Sequence, residues 1–185
     1  RGWSLDAASG MEELANRTVG RNELTAISVL EDFVEAQQRY ASEPRDGSGV
    51  RRFATRLLST PGKRDGLYWE TAEGEEPSPF GPLHEGRVEA KRDAPYYGYR
   101  YRILTRQGAG APGGAYDYLV KGKMKGGFAL IAVPAEYGNS GIMSFVVNHD
   151  GTVFQKDLGP NTSTLARKID AYAPDQGWTK VDNSQ

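Results

Sequence analysis

The chain has 185 residues, 38% of them apolar, with 23 glycines and 10 prolines, and a net charge of −1 from 23 basic and 24 acidic residues. That length supports one domain with a real core, and the balanced charge announces neither a nucleic-acid footprint nor a membrane-binding polybasic run. With no cysteine, disulfides, thiolate catalysis, Cys-ligated zinc and iron–sulfur clusters are excluded.

The chain is read as one domain, 1–185, in four parts: helical 1–60, an irregular wrap 61–95, an antiparallel sheet 96–160, and a helix with a tail 161–185. In chain order, residues 4–19 predict a short helix around Met11, Leu14 and Ala15, stopped by Gly20. Residues 22–42 predict a second, with Asn22 as N-cap and Glu23 on the first-turn dipole. Leu24, Ile27, Leu30, Phe33, Val34 and Ala41 form its apolar stripe. "VRRFATRLLST" (50–60) predicts another helix, with Phe53, Leu57 and Leu58 inward and Pro61–Gly62 ending it.

The wrap that follows is rich in Gly, Pro and Glu, and Tyr68, Trp69 and Phe80 are its expected anchors. From Tyr96 the period becomes two. In 96–105, Tyr97, Tyr99, Tyr101 and Ile103 alternate with Gly98, Arg100, Arg102 and Leu104, predicting a strand with one aromatic and one basic face. Further strands are expected over 115–122, 127–137, 141–150 and 152–159, then a helix over 162–172 capped by Thr162 or Ser163. Helices followed by strands argue an α+β fold, N-terminal helices packed on an antiparallel meander.

The candidate sites are few. His149 and Asp150, in "NHDG" (148–151), have the residue types of catalysis or metal binding. Adjacent strand side chains point to opposite faces, and Asp-Gly between two β-runs is a hairpin signal, so a turn is expected. An exposed His149 at that tip would contact another molecule. "EPRDGSGV" (43–50) has half of a calcium loop in Glu43, Asp46 and Ser48, but basic Arg51 and Arg52 fall where a bidentate carboxylate belongs. Calcium is the single cofactor this leaves open. "GAGAPGG" (108–114) lacks the ending of a phosphate loop, and "KGKMKGG" (121–127) reads as a solvated edge.

Three stretches carry a resemblance: "LDAASGMEELANRTVGRNELTAISVLEDFVEAQQRYAS", "LLSTPGKRDGLYWETAEGEEPSPFGPL" and "GGAYDYLVKGKMKGGFALIAVPAEYGNSGIMSFVVNHDGTVFQKDLG". They are similar to the bacterial domain-of-unknown-function family 2950. The resemblance implies an exported protein with a cleaved signal, in keeping with a start at Arg1, and no activity or residue role. The layout of helix, wrap and meander also resembles the globular part of type IV pilins and pseudopilins.

The expected function is therefore an exported, periplasmic or extracellular structural or interaction protein, without catalysis. Its partners would be protein, as a homo-oligomer or envelope assembly such as a filament, with no nucleic acid and no membrane span. The expected contact surface is Tyr68, Trp69, Phe80, Arg100, Arg102 and His149. The alternative is an envelope ligand-binding protein or hydrolase with a site where the wrap crosses the sheet, using His84, His149, Asp150 and the carboxylates of Glu73, Glu75 and Glu76.

Overall fold

The computed structural model describes residues 7–45, 49–81, 94–175 and 177–182. The two expected N-terminal helices are one. Helix α1 runs unbroken over Ala7–Ala41, 35 residues, about 52 Å at 1.5 Å per residue. Gly20 does not stop it: an interior glycine costs a helix only about 1 kcal/mol, and Gly20 is not among the glycines with the positive φ that a helix stop uses. Asn22 and Glu23 are not a helix start either. Asn22 Nδ2 donates to the Ser140 carbonyl at 2.9 Å, and the Glu23 carboxylate accepts from the Ile142 and Met143 N–H groups at 2.8 and 3.0 Å. Their cap-like chemistry serves a distant loop.

The buried seam of α1 is Val19, Ala26, Val29, Leu30, Phe33, Ala36, Gln37 and Tyr40. Ile27 and Val34 flank it half-buried, while Leu24 lies off it at 67% exposed. N-terminal to Val19, residues 10–18 are all exposed.

The expected helix at 50–60 is absent; the segment is extended. The Phe53 N–H donates to the Met124 carbonyl at 2.8 Å, and residues 57–59 run beside Tyr68 through hydrogen bonds of 2.8 Å. The side chain of Gln37 grips Ala54 at both ends, donating to its carbonyl at 2.9 Å and accepting from its N–H at 2.8 Å. Tertiary hydrogen bonds here outweigh a modest helical pattern.

The main sheet is antiparallel and has five strands: β1 (Tyr99–Leu104), β6 (Ala129–Pro134), β7 (Met143–Asn148), β8 (Phe154–Asp157) and β9 (Thr179–Lys180), in that order. The expected strand at 115–122 is not among them. Tyr118 is buried and divides it into β3 (Tyr116–Asp117), paired with β2 (Arg106–Gln107), and β4 (Leu119–Val120), paired with β5 (Lys123–Met124). The outer edge strand comes instead from the tail.

Register puts Tyr101, Ala132 and Phe145 on one face, and Arg102, Ile131, Val146 and Phe154 on the other. The first face packs on α1, with Phe33 edge-on to Phe128 at 5.5 Å. The second is covered by α2 (Thr162–Lys168) and the segment behind it, including Ile169, Trp178 and Val181. β6 is therefore buried on both faces, although the sheet is antiparallel. The α2 cap differs from expectation. Asn161 is the N-cap, without a side-chain cap bond, and Thr162 is buried with its hydroxyl donating to the Gly159 carbonyl at 2.6 Å. The fold is α+β. Among the described residues no helix is long and apolar enough to cross a membrane.

Candidate functional site

The β7–β8 turn is the hairpin that its composition implies. Asn148 Oδ1 accepts from the Asp150 N–H at 3.1 Å, the Gly151 N–H donates to the Asn148 carbonyl at 2.9 Å, and Gly151 takes φ +79°. Strand pairing puts Phe145 opposite Gln155 and Val146 opposite Phe154, and Val153, one step nearer the turn, accepts from the Val181 N–H at 3.0 Å.

His149 is not the exposed tip. Its ring folds inward, edge-on to Tyr118 at 5.7 Å and Phe128 at 6.1 Å. Nδ1 is buried without a hydrogen-bond partner among the described residues, so close to Gly127 that a Cβ there would lie 2.6 Å away. Nε2 lies 3.9 Å from the Asp150 carboxylate. The reading of His149 as an exposed contact residue is corrected: apolar rings and the Gly127 backbone hold it as a wedge.

Behind the wedge lies a polar cluster that periodicity does not mark. The buried Tyr118 hydroxyl donates to Gln107 Oε1 at 3.0 Å, and Gln107 Nε2 donates to the Pro112 and Gly114 carbonyls at 2.9 and 2.8 Å. Gln107 thus ties down the glycine-rich connector. The signal available in the sequence was an amide directly before a run of small residues whose carbonyls need donors. Burial, then Tyr116, Tyr172 and Asp150, push the Tyr118 hydroxyl far above its ordinary pKa. Tyr172 is pushed up to about 12, by burial and then by Asp150. Both phenols are neutral, Tyr118 donates to Gln107, and Gln107 has both ends of its amide engaged. The cluster can hold a fold together. It presents no activated nucleophile beside a base.

The wrap anchors go to a second place. Trp69 and Phe80 are buried and Tyr68 is half-buried beside Leu58. The guanidinium groups of Arg45 and Arg64 each lie 5.4 Å from the Trp69 ring, and Arg45 also stacks on Tyr40 at 5.4 Å. Trp69 thus fastens the wrap to the end of α1, Phe80 hydrogen-bonds back to Leu67 within the wrap, and neither is available as surface. Arg64 also reaches Glu75 at 3.4 Å.

Arg100 is exposed on β1. Arg102, two residues on, donates to the Ala166 and Ile169 carbonyls at 2.7 and 2.6 Å. It caps the C-terminal end of α2, where open carbonyls and the helix dipole favour a cation. Arg106 pairs with Asp170 just beyond. Arg102 on β1 and Arg106 on β2 therefore hold α2 and the residues just beyond it in place.

Asp46, Ser48 and His84 lie outside the described residues, so of the calcium set Glu43 alone is placed, exposed just past α1. Among the described residues there is no group of three or more His, Cys, Asp or Glu side chains that could hold a metal ion.

No curated protein and no solved structure matches the chain. The family model for a protein of unknown function, DUF2950, matches residues 1–181, nearly the whole chain. The chain belongs to the DUF2950 family.

Proposed function

We propose that the chain is an exported structural or interaction protein that acts by contact, as a self-associating subunit of an envelope or extracellular assembly. The observation that carries this reading is the overhang of α1. Residues 10–18 are helical yet exposed throughout, with Met11 71% and Leu14 64% exposed. An isolated helical stretch this short is marginal in water, so an exposed one gains most when a partner covers it. A helix that runs on past the sheet it packs against also fits the resemblance of this layout to pilins. The overhang here is amphipathic, with Glu12, Glu13 and Arg17 beside Met11 and Leu14, which suits a side-by-side protein contact.

Sedimentation velocity over a wide concentration range tests this. Association is expected to rise with concentration, and Met11→Glu with Leu14→Glu is expected to suppress it without lowering Tm. A strict monomer at the highest concentration sinks the proposal.

A further inference from the structure

The α1 overhang needs a surface to lie on, and α1 itself supplies one. Its buried seam, from Val19 to Tyr40, faces the sheet. On the opposite side the exposed residues recur three and four apart, as Arg21, Leu24, Ser28, Glu31, Glu35 and Gln38. That spacing puts them on one stripe along the helix. Arg17 continues the stripe into the overhang, with Glu13 one turn before it. The stripe therefore runs unbroken from the exposed overhang to the end of the helix that the sheet supports.

The charges on this stripe have an order. An ion pair within the helix marks each end, Glu13 with Arg17 and Glu35 with Arg39, and all four side chains are exposed. Take a second α1 laid antiparallel to the first, about a two-fold axis midway between Leu24 and Ser28. Glu13 then meets Arg39 of the second copy, and Arg17 meets its Glu35, each pair equidistant from the axis in sequence. Arg21 and Glu31 obey the same rule. A parallel arrangement sets every charge against its own kind. Each pair is already balanced within its own chain; the antiparallel contact joins two of them into an alternating quartet, formed twice by symmetry. Exposed ion pairs contribute little singly and more as a network. Leu24, 67% exposed, stands beside the axis with its symmetry mate. An apolar centre inside a charged rim is the anatomy of a protein–protein interface.

We infer that two copies of the chain pair antiparallel through the outward faces of their α1 helices, so that the overhang of each lies on the sheet-backed end of the other. Residues 10–18 fall beside 34–42 of the second copy, and the overlap from 10 to 42 is about 48 Å long at 1.5 Å per residue. The contact is isologous and closes a dimer. It rests on the self-association proposed for the overhang and names the surface that receives it.

The test is sedimentation velocity of the full chain and its charge variants at low ionic strength. The wild type is expected to form a dimer that added salt weakens. Arg17→Glu and Glu35→Arg are each expected to raise the dissociation constant about tenfold, because each reverses a charge in both quartets. The double variant, which exchanges the two charges, is expected to return to within about twofold of the wild type. The chain has no cysteine, so single thiols give a second readout. A mixture of Leu24→Cys protein with Ser28→Cys protein is expected to form the mixed disulfide faster than either forms one with itself. The inference is overturned if the wild type associates but the single reversals leave its dissociation constant unchanged, if the exchange restores nothing, or if the mixed disulfide has no advantage. The overhang then associates through another surface, and the proposed function stands. A strict monomer overturns both.

Discussion

Gln37 occupies a position on the buried seam of α1 where the helical pattern asks for an apolar side chain. It is fully buried and spends its amide on the backbone of Ala54, itself buried, from a segment with little regular structure of its own. Truncating it leaves a buried N–H and a buried carbonyl without partners, each of which costs about 1–3 kcal/mol. Gln37→Ala is expected to lower stability by about 3 kcal/mol, read as a shift in the denaturant midpoint; a shift below about 0.5 kcal/mol would show that water replaces the amide. Asp65 makes a similar bond at the surface of the wrap, accepting from the Thr60 N–H at 2.7 Å and from its hydroxyl at 2.9 Å. Burial raises its pKa, but those bonds and Arg56 outweigh it, so the carboxyl titrates below its ordinary value of 3.8. A folded-state pKa below the unfolded one stabilises above the unfolded value and loses that contribution as pH falls through the folded one. The stability gap between wild type and Asp65→Asn is therefore expected at neutral pH and to close below about pH 4, as thermal melts in acid would record. A gap that persists unchanged at low pH would exclude this origin.

At the scale of elements, α1 shows how a correct local signal can serve another purpose. Asn22 and Glu23 have the chemistry of a helix start, and Gly20 that of a helix end, but Asn22 and Glu23 bind the 140–143 backbone and Gly20 lies mid-helix. A Cβ on Gly20 meets no atom within 4 Å. Gly20→Ala is expected to stabilise the protein by about 0.5–1 kcal/mol, through the entropy that glycine loses on folding. A lower Tm in the alanine variant would mean that the glycine serves some contact of the overhang. The strands at 99–104, 129–134, 143–148 and 154–157 were legible because alternation and turn chemistry are local. The extended course of 50–60 was not, because it depends on Gln37 and Met124, and the break at Tyr118 depends on Thr105, whose carbonyl accepts the Tyr118 N–H at 2.8 Å.

Across the whole molecule, the α+β arrangement followed from the order of patterns, while the composition of its surfaces did not. The sequence marks Trp69 and Phe80 as both anchors and surface, and burial leaves them the first role alone. Arg102 is exposed, as its pattern implies, and is also a helix cap. His149, marked as a tip, is a half-buried wedge. Conversely, the Phe53–Met124 bridge joins two segments that lie far apart in sequence, and no window along the chain contains it. Surface character is a property of juxtaposition, and a linear reading reaches it only where neighbours in space are neighbours in sequence.

The sheet is closed on one side by Thr179–Lys180, the last element in chain order, pairing with Phe154 and Gln155. During synthesis β8 therefore waits with an open edge until nearly all of the described chain has left the ribosome. An open edge recruits other strands, so this interval is when the chain is most exposed to misassembly. A chain that completes its sheet late also stays pliable for longer, a property of direct use to any polypeptide that must be threaded through a pore before it folds.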